Sequence, residues 1–185
     1  MNINPQIFLK IAEKAGAVCM FDIETTGREA DYHSVLCLSI KPHGKKPYSF
    51  TATTPGDDRA LLSQAIPELE NYPVWVTYYG KGFDVPFIRT RLVKHGFEDV
   101  EKQIHFDAYW VGKSNLLTGR RSQAHLIEWL DLANKKMTIS PDTWNAVIAD
   151  PAKNMPIIRK RCESDCSGLE GLYDRIKYLA KDLSR

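Results

Sequence analysis

The sequence predicts an α/β fold: a central mixed β-sheet flanked by helices. Three observations carry that expectation. Apolar segments of strand length, 17–23, 34–41 and 47–53, crowd the N-terminal part of the chain. A β-branched and aromatic run, 74–79, stands between two helical patterns. Helical patterns then dominate from residue 122 onward, so strands come early and helices late. With 185 residues and 43% hydrophobic content the chain can bury a sizeable core, and a single domain over 1–185 is expected.

Residues 5–15 carry Ile7, Ile11 and Ala15 at helical spacing, with Pro5 suited to the first turn and Gly16 to the stop. The turn HGKKP between 34–41 and 47–53 predicts a hairpin. Asp57 or Asp58 is placed to cap a helix running to about Asn71, with Pro67 as a kink or stop. After 74–79 comes the glycine-broken turn Gly80-Lys81-Gly82, then a helix from about Pro86 to His95 closed by Gly96. A short strand is expected at 104–107, and helices around 122–133, 141–149 and 155–182.

Composition excludes several classes. Charged residues make up 26%, near the globular average, and the net charge is only +2. That balance does not advertise a polyanion partner, although a basic groove can be offset by acids elsewhere. Cys19, Cys37, Cys162 and Cys166 form no CxxC pair, and no histidine pair stands at zinc-finger spacing. No apolar stretch approaches the ~20 residues of a membrane span. A reduced, cytoplasmic location without membrane contact is expected. The GKG turn lacks the GxxxxGK[ST] spacing of a phosphate-binding loop.

The most informative stretch is Phe21-Asp22-Ile23-Glu24-Thr25-Thr26-Gly27. Alternate side chains of a strand share a face, so Asp22 and Glu24 stand side by side while Phe21 and Ile23 face the other way. Two carboxylates ~4 Å apart at an effective dielectric of ~20 repel by about 4 kcal/mol. A divalent cation relieves that repulsion, and oxygen-only ligands suit Mg²⁺ or Mn²⁺. Simple exposure of both acids to water would relieve it too, and spacing alone does not choose. In the last helix Ile158, Cys162, Asp165, Leu169, Leu172, Ile176 and Leu179 recur at steps of three and four. Asp165 is the only charged member of this inward stripe, and a buried carboxylate requires a cation or a salt bridge, for which Arg161 is one turn away. Asp84, between Phe83 and Pro86, reads by itself as a helix N-cap.

FDIETTG resembles the first motif of the DEDD superfamily of 3′–5′ exonucleases, which have a ribonuclease H-like fold. VTYYGKGFDVPFIRTRLVKHGF, residues 76–97, resembles the second motif, and RKRCESDCSGLEGLY, residues 159–173, the third. The motifs stand in family order over about residues 17–180, and the chain is similar to stand-alone or phage-like exonuclease domains related to that of B-family DNA polymerases. The resemblance implies metal-dependent hydrolysis of phosphodiester bonds from the 3′ end of DNA or RNA, most readily a single-stranded end. The implied products are nucleoside 5′-monophosphates. It implies two divalent cations, Mg²⁺ or Mn²⁺, held by Asp22, Glu24, Asp84 and Asp165. It also implies that Thr25, Thr26 and Gly27 lie beside the terminal nucleotide, with Tyr79 and Phe83 as further substrate contacts. His105-Phe106-Asp107 resembles a family HxD segment, and equally reads as a capped strand end.

Two positions depart from the family pattern. Arg161 and Lys160 stand where the third motif has Tyr four, or His five, residues before its Asp. Arginine stays protonated and cannot serve as a base, so Arg161 is expected at the scissile phosphate. Tyr79 stands where the family often has Asn, and either stacks on a terminal base or packs in the strand. Arg120 and Arg121 are the favoured basic patch for phosphate contacts, with Arg89, Arg91, Lys113, Arg159, Lys160 and Arg161 as further candidates. The competing functional reading is a catalytically weak or inactive relative that binds nucleic-acid ends or a protein partner. An endonuclease of the same broad fold is a second alternative.

Overall fold

Pairing of short apolar strands, not any one long element, builds the centre of the molecule. A computed structural model describes residues 4–54, 56–134, 137–181 and 183. β1 (Val18–Thr25) pairs antiparallel with β2 (Val35–Pro42), which pairs antiparallel with β3 (Tyr48–Thr51). On its other edge β1 runs parallel to β4 (Val74–Thr77), and β4 runs parallel to β5 (Ile104–Asp107). The sheet order is therefore β3-β2-β1-β4-β5, the mixed sheet expected. The register of β1 on β2 shifts between Glu24 and Thr25, bending the end of the strand that carries the acids.

Helices cover both faces. One face of the sheet buries Phe21, Ile23, Leu38, Ile40 and Trp75 against α2 (Arg59–Glu70) and α3 (Asp84–His95). The other buries Val18, Met20, Val74, Val76 and Phe106 against α1 (Pro5–Lys14) and α7 (Pro151–Ile176). Alternation along β1 sorts these two sets, as strand geometry requires. α4 (Ala108–Asn115), α5 (Gln123–Trp129) and α6 (Pro141–Ala149) complete the flanks, and a 3₁₀ turn (Lys177–Leu179) follows α7. α7 is the inward stripe of the sequence made real: Ile158, Cys162, Asp165, Leu169, Leu172 and Ile176 are all buried, and Leu179 is half-buried in the 3₁₀ turn.

Several expectations are corrected. α1 turns Ile7 and Ile11 to solvent and buries Leu9 and Ala12, because the face that meets the sheet is offset from the isoleucine stripe. α2 continues through Pro67 to Glu70, and α5 stops at Trp129. α4 has no strong apolar period and was not expected from sequence; Asp107 starts it by accepting from the Tyr109 N–H at 3.1 Å. Arg91 is no phosphate contact, since its guanidinium is buried on Asp58 with N–O distances of 2.9 Å. Asp58, for its part, does not cap α2 with its side chain. It faces inward and also accepts from the Val35 N–H at 2.9 Å and lies 2.7 Å from His95 Nε2. Arg89 is engaged by Asp99 at 2.8 Å on the surface.

Burial alone would raise the Asp58 carboxyl, but Arg91, the Val35 N–H and His95 outweigh it and hold it below the ordinary value. A depressed acid stabilises the fold above its unfolded-state pKa and loses that contribution as pH falls through the folded value. Asp58→Ala is expected to cost about 3–5 kcal/mol, because Arg91 is left buried without its counter-ion. Urea unfolding at neutral pH measures this, and the difference from wild type should shrink as the pH approaches 3.

Candidate active site

The carboxyl ends of β1 and β4 lie side by side, which is where open α/β sheets present ligands. Along β1 the face occupied by Val18 and Met20 continues as Asp22 and Glu24. α7 crosses that face and sets Asp165 opposite them. One carboxylate oxygen from each of Asp22, Glu24 and Asp165 lies within 4.8 Å of the others. Glu24 and Asp165 are buried, and Asp22 is half-buried. Gln123 Nε2 donates to the Asp165 carbonyl at 2.8 Å, tying α5 to α7 at this point.

Asp84 enters from the other side of the sheet. It is the first residue of α3 rather than its cap, because its side chain turns to the sheet and accepts from the Ile23 N–H at 3.2 Å. Ile23 stands between Asp22 and Glu24, so this hydrogen bond pins Asp84 to the acidic strand end. Burial and the charge of Asp22 push the Asp84 carboxyl well above its ordinary value, with the Ile23 N–H acting in the opposite direction.

All four acids line one cleft of about 500 Å³, together with Thr25, Gly27, Tyr79, Phe83, Trp144 and Arg161. Arg161 Nη1 meets Glu24 Oε2 at 3.0 Å, and its guanidinium lies 5.6 Å from the centre of the Trp144 ring. Beneath the acids, Cys162 Sγ donates to the Asp22 carbonyl at 3.2 Å and approaches Asp22 Oδ2 at 3.5 Å. Burial raises the Cys162 thiol, so it keeps the proton that these contacts use. An all-oxygen donor set of clustered carboxylates fits a hard divalent cation such as Mg²⁺ or Mn²⁺ and does not fit zinc thiolate chemistry.

The turn after β4 is held by Asp107. Its carboxylate accepts from the Tyr79 N–H at 2.9 Å and the Lys81 N–H at 3.0 Å. Tyr79 thereby adopts a left-handed backbone with φ 64°. Such a conformation is easy for Asn and costly for an aromatic residue. Gly80 is required next, because a Cβ would lie 2.4 Å from the Thr77 hydroxyl. That hydroxyl is 2.7 Å from His105 Nε2. Burial, with the Lys81 charge, lowers His105 to about 3, so it is a neutral structural group at physiological pH. The His105-Phe106-Asp107 segment thus organises the turn and caps α4.

Of the substrate candidates, the fold gathers Thr25, Gly27, Tyr79, Phe83 and Arg161 at the cleft. Thr26 is turned away: its hydroxyl accepts from the Ser34 N–H at 3.0 Å and holds the loop after β1. Arg120 and Arg121 are exposed and are not among the cleft-lining residues, although the Arg121 carbonyl accepts from the Tyr78 hydroxyl, which does line the cleft. Sequence reasoning missed Trp144 and Cys162 as neighbours of the acids. The spacing of Cys162 three residues before Asp165 on the inward stripe was the available signal.

A family model described as the RNase_H superfamily matches residues 19–177. The chain belongs to the RNase_H superfamily. Among solved structures it is similar to the family B DNA polymerase from the hyperthermophilic archaeon Pyrobaculum calidifontis, with a TM-score of 0.69 and 20% identity. The similarity covers 85% of this chain and 24% of the polymerase, so the chain spans about a quarter of that protein. No curated protein matches the sequence. On this superfamily fold, the clustered carboxylates form a candidate metal centre.

The raised Asp84 carboxyl gives a signed pH test. A buried acid with a raised folded-state pKa stabilises the protein below its unfolded pKa of ~3.9 and loses that stability as pH rises toward the folded value. In EDTA, wild type should therefore lose stability relative to Asp84→Asn as the pH climbs above about 4. Paired urea titrations across pH measure the widening gap, and a constant gap would refute the assignment.

Proposed function

We propose that the protein is a metal-dependent 3′–5′ exonuclease, removing nucleotides from the 3′ end of a DNA or RNA strand as nucleoside 5′-monophosphates. The observation that carries this reading is that α7 brings Asp165 within 4.8 Å of the Asp22 and Glu24 pair of β1, from which it is distant in sequence, in a cleft that Asp84 also lines. A pure binding surface for a polyanion gains nothing from four carboxylates, whereas a metal-dependent nuclease needs them. In this reading the four acids hold two divalent cations, Mg²⁺ or Mn²⁺. Such ions, when bound, neutralise phosphate charge and make water a better nucleophile.

The remaining roles belong to the chain itself. Thr25 and Gly27 border the acids and receive the terminal sugar and base, with Phe83 packing against it. Arg161 lies on Glu24 in the cleft lining and supplies a phosphate donor there. As a permanent cation it moves no proton near neutral pH. The four cysteines are free, in keeping with a reducing, cytoplasmic setting. Among the described residues no helix is long and apolar enough to cross a membrane.

The Arg161–Glu24 pair also favours a second reading, a catalytically weak domain that binds strand ends. An internal guanidinium on Glu24 competes with a cation for the same carboxylate. A time course on labelled strands with Mg²⁺, Mn²⁺ or EDTA separates the two. For the exonuclease, a 3′-phosphorothioate cap or a circular strand resists degradation while a blocked 5′ end does not. Cleavage of the circle would point to an endonuclease instead. Absence of cleavage with either cation, with metal binding intact, would establish the binding domain.

Arg161 provides the second test. Arg161→Ala should slow cleavage roughly tenfold or more through the lost phosphate contact, without removing a titration from the pH–rate profile. Arg161→Tyr restores the family pattern and should cleave at least as fast as wild type. Loss of a titration step in the Arg161→Ala profile would assign Arg161 a proton-transfer role and overturn this account.

A further inference from the structure

Beyond the acidic cleft the aromatic side chains continue. Tyr79, which lines the cleft, packs its ring edge-on against Tyr109 at 4.9 Å and lies 6.3 Å from Trp110 at an interplanar angle of 36°. Tyr109 and Trp110 are consecutive on α4, with rings 5.1 Å apart. Lys113, one turn along α4, sets its ammonium 4.4 Å from the centre of the Trp110 ring. Tyr79 is 43% exposed and Trp110 is 41% exposed, so two neighbouring aromatic residues present surface to solvent, one at the cleft and one beyond its lining.

This arrangement is maintained against a cost. Tyr79 is held at positive φ by the Asp107 carboxylate, a left-handed conformation that an aromatic residue adopts only at a cost. The same carboxylate starts α4 through the Tyr109 N–H, so one side chain orients both Tyr79 and the helix that carries Trp110. A role in core packing does not explain rings left this exposed. Flat exposed rings beside a cation match the needs of unpaired nucleobases, whose faces stack on any aromatic surface while the ammonium meets the phosphate.

We propose that Tyr79, Trp110 and Lys113 form a stacking platform for unpaired nucleotides upstream of the 3′ terminus, a subsite that continues from the acidic cleft. This rests on the exonuclease reading for its polarity but not for its chemistry. Such a platform needs no base-specific contacts, because stacking tolerates every base.

The test is binding by fluorescence anisotropy in EDTA, so that it does not depend on catalysis. The probes are 5′-labelled oligothymidylate and oligouridylate of about eight nucleotides, and matching strands in which only the last few 3′ nucleotides keep their bases. For wild type, removing the upstream bases should weaken binding roughly tenfold, and Trp110→Ala should do the same to the intact strand. The two changes together should cost no more than either alone, and Trp110→Phe should recover most of the loss. The probes with and without upstream bases test wild type directly, so the outcome does not require Trp110→Ala to fold. Equal binding of both probes by wild type, or full additivity of the two changes, would overturn the platform. The platform would survive a protein that binds as described yet cleaves nothing, although the exonuclease reading would not. Cleavage with no base dependence of binding would leave the exonuclease reading intact and remove the platform.

Discussion

Mutual repulsion of carboxylates at one end of the sheet is the constraint around which the rest of the structure is arranged. Two like charges at 4.8 Å and an effective dielectric near 20 oppose each other by on the order of 3 kcal/mol, and this site gathers more than one such pair. A fold of marginal stability tolerates that only with local compensation. Here the compensation comes from three directions. Arg161 reaches Glu24 from α7, the Cys162 thiol donates to Asp22, and the Ile23 N–H donates to Asp84. Each is weaker than a bound divalent cation, which leaves the site able to gain stability from metal.

The elements that carry the acids are held by interactions remote from them. The buried Asp58–Arg91–His95 cluster fastens the start of α2 to α3, and through the Val35 N–H to β2. α3 is the helix whose first residue is Asp84. Gln123 and Asp165 fasten α5 to α7. The acids are thereby delivered by rigid elements, which suits a site that must hold ligand oxygens in fixed positions.

A further acidic residue, Asp107, governs the turn beside the cleft. Its two oxygens accept from three backbone N–H groups, those of Tyr79, Lys81 and Tyr109. It works as a hinge pin between the end of β4 and the start of α4, and keeps an aromatic residue in a backbone conformation it would not choose alone. Strain concentrated beside a cleft marks a position kept for its side chain rather than for its stability.

The sequence by itself determined the strands, the mixed α/β class and the placement of the acids on faces. Alternation along 17–25 put Asp22 and Glu24 on one side of a strand, and the steps of three and four in 158–179 put Asp165 on the buried stripe of α7. Both are periodicities of one element, and local periodicity survives in a linear string. Only the tertiary structure decided where long or ambiguous side chains end. Arg91 and Asp58 read as surface cation and helix cap, yet each is the other's buried partner, because the loop before α2 packs against α3. Arg161 reads as a neighbour of Asp165 and pairs with Glu24 across the cleft. The exposed isoleucines of α1, the unforeseen α4 and the left-handed Tyr79 have the same origin. Which face an element buries, and which backbone conformation a carboxylate 28 residues away imposes, depend on contacts that no local pattern encodes.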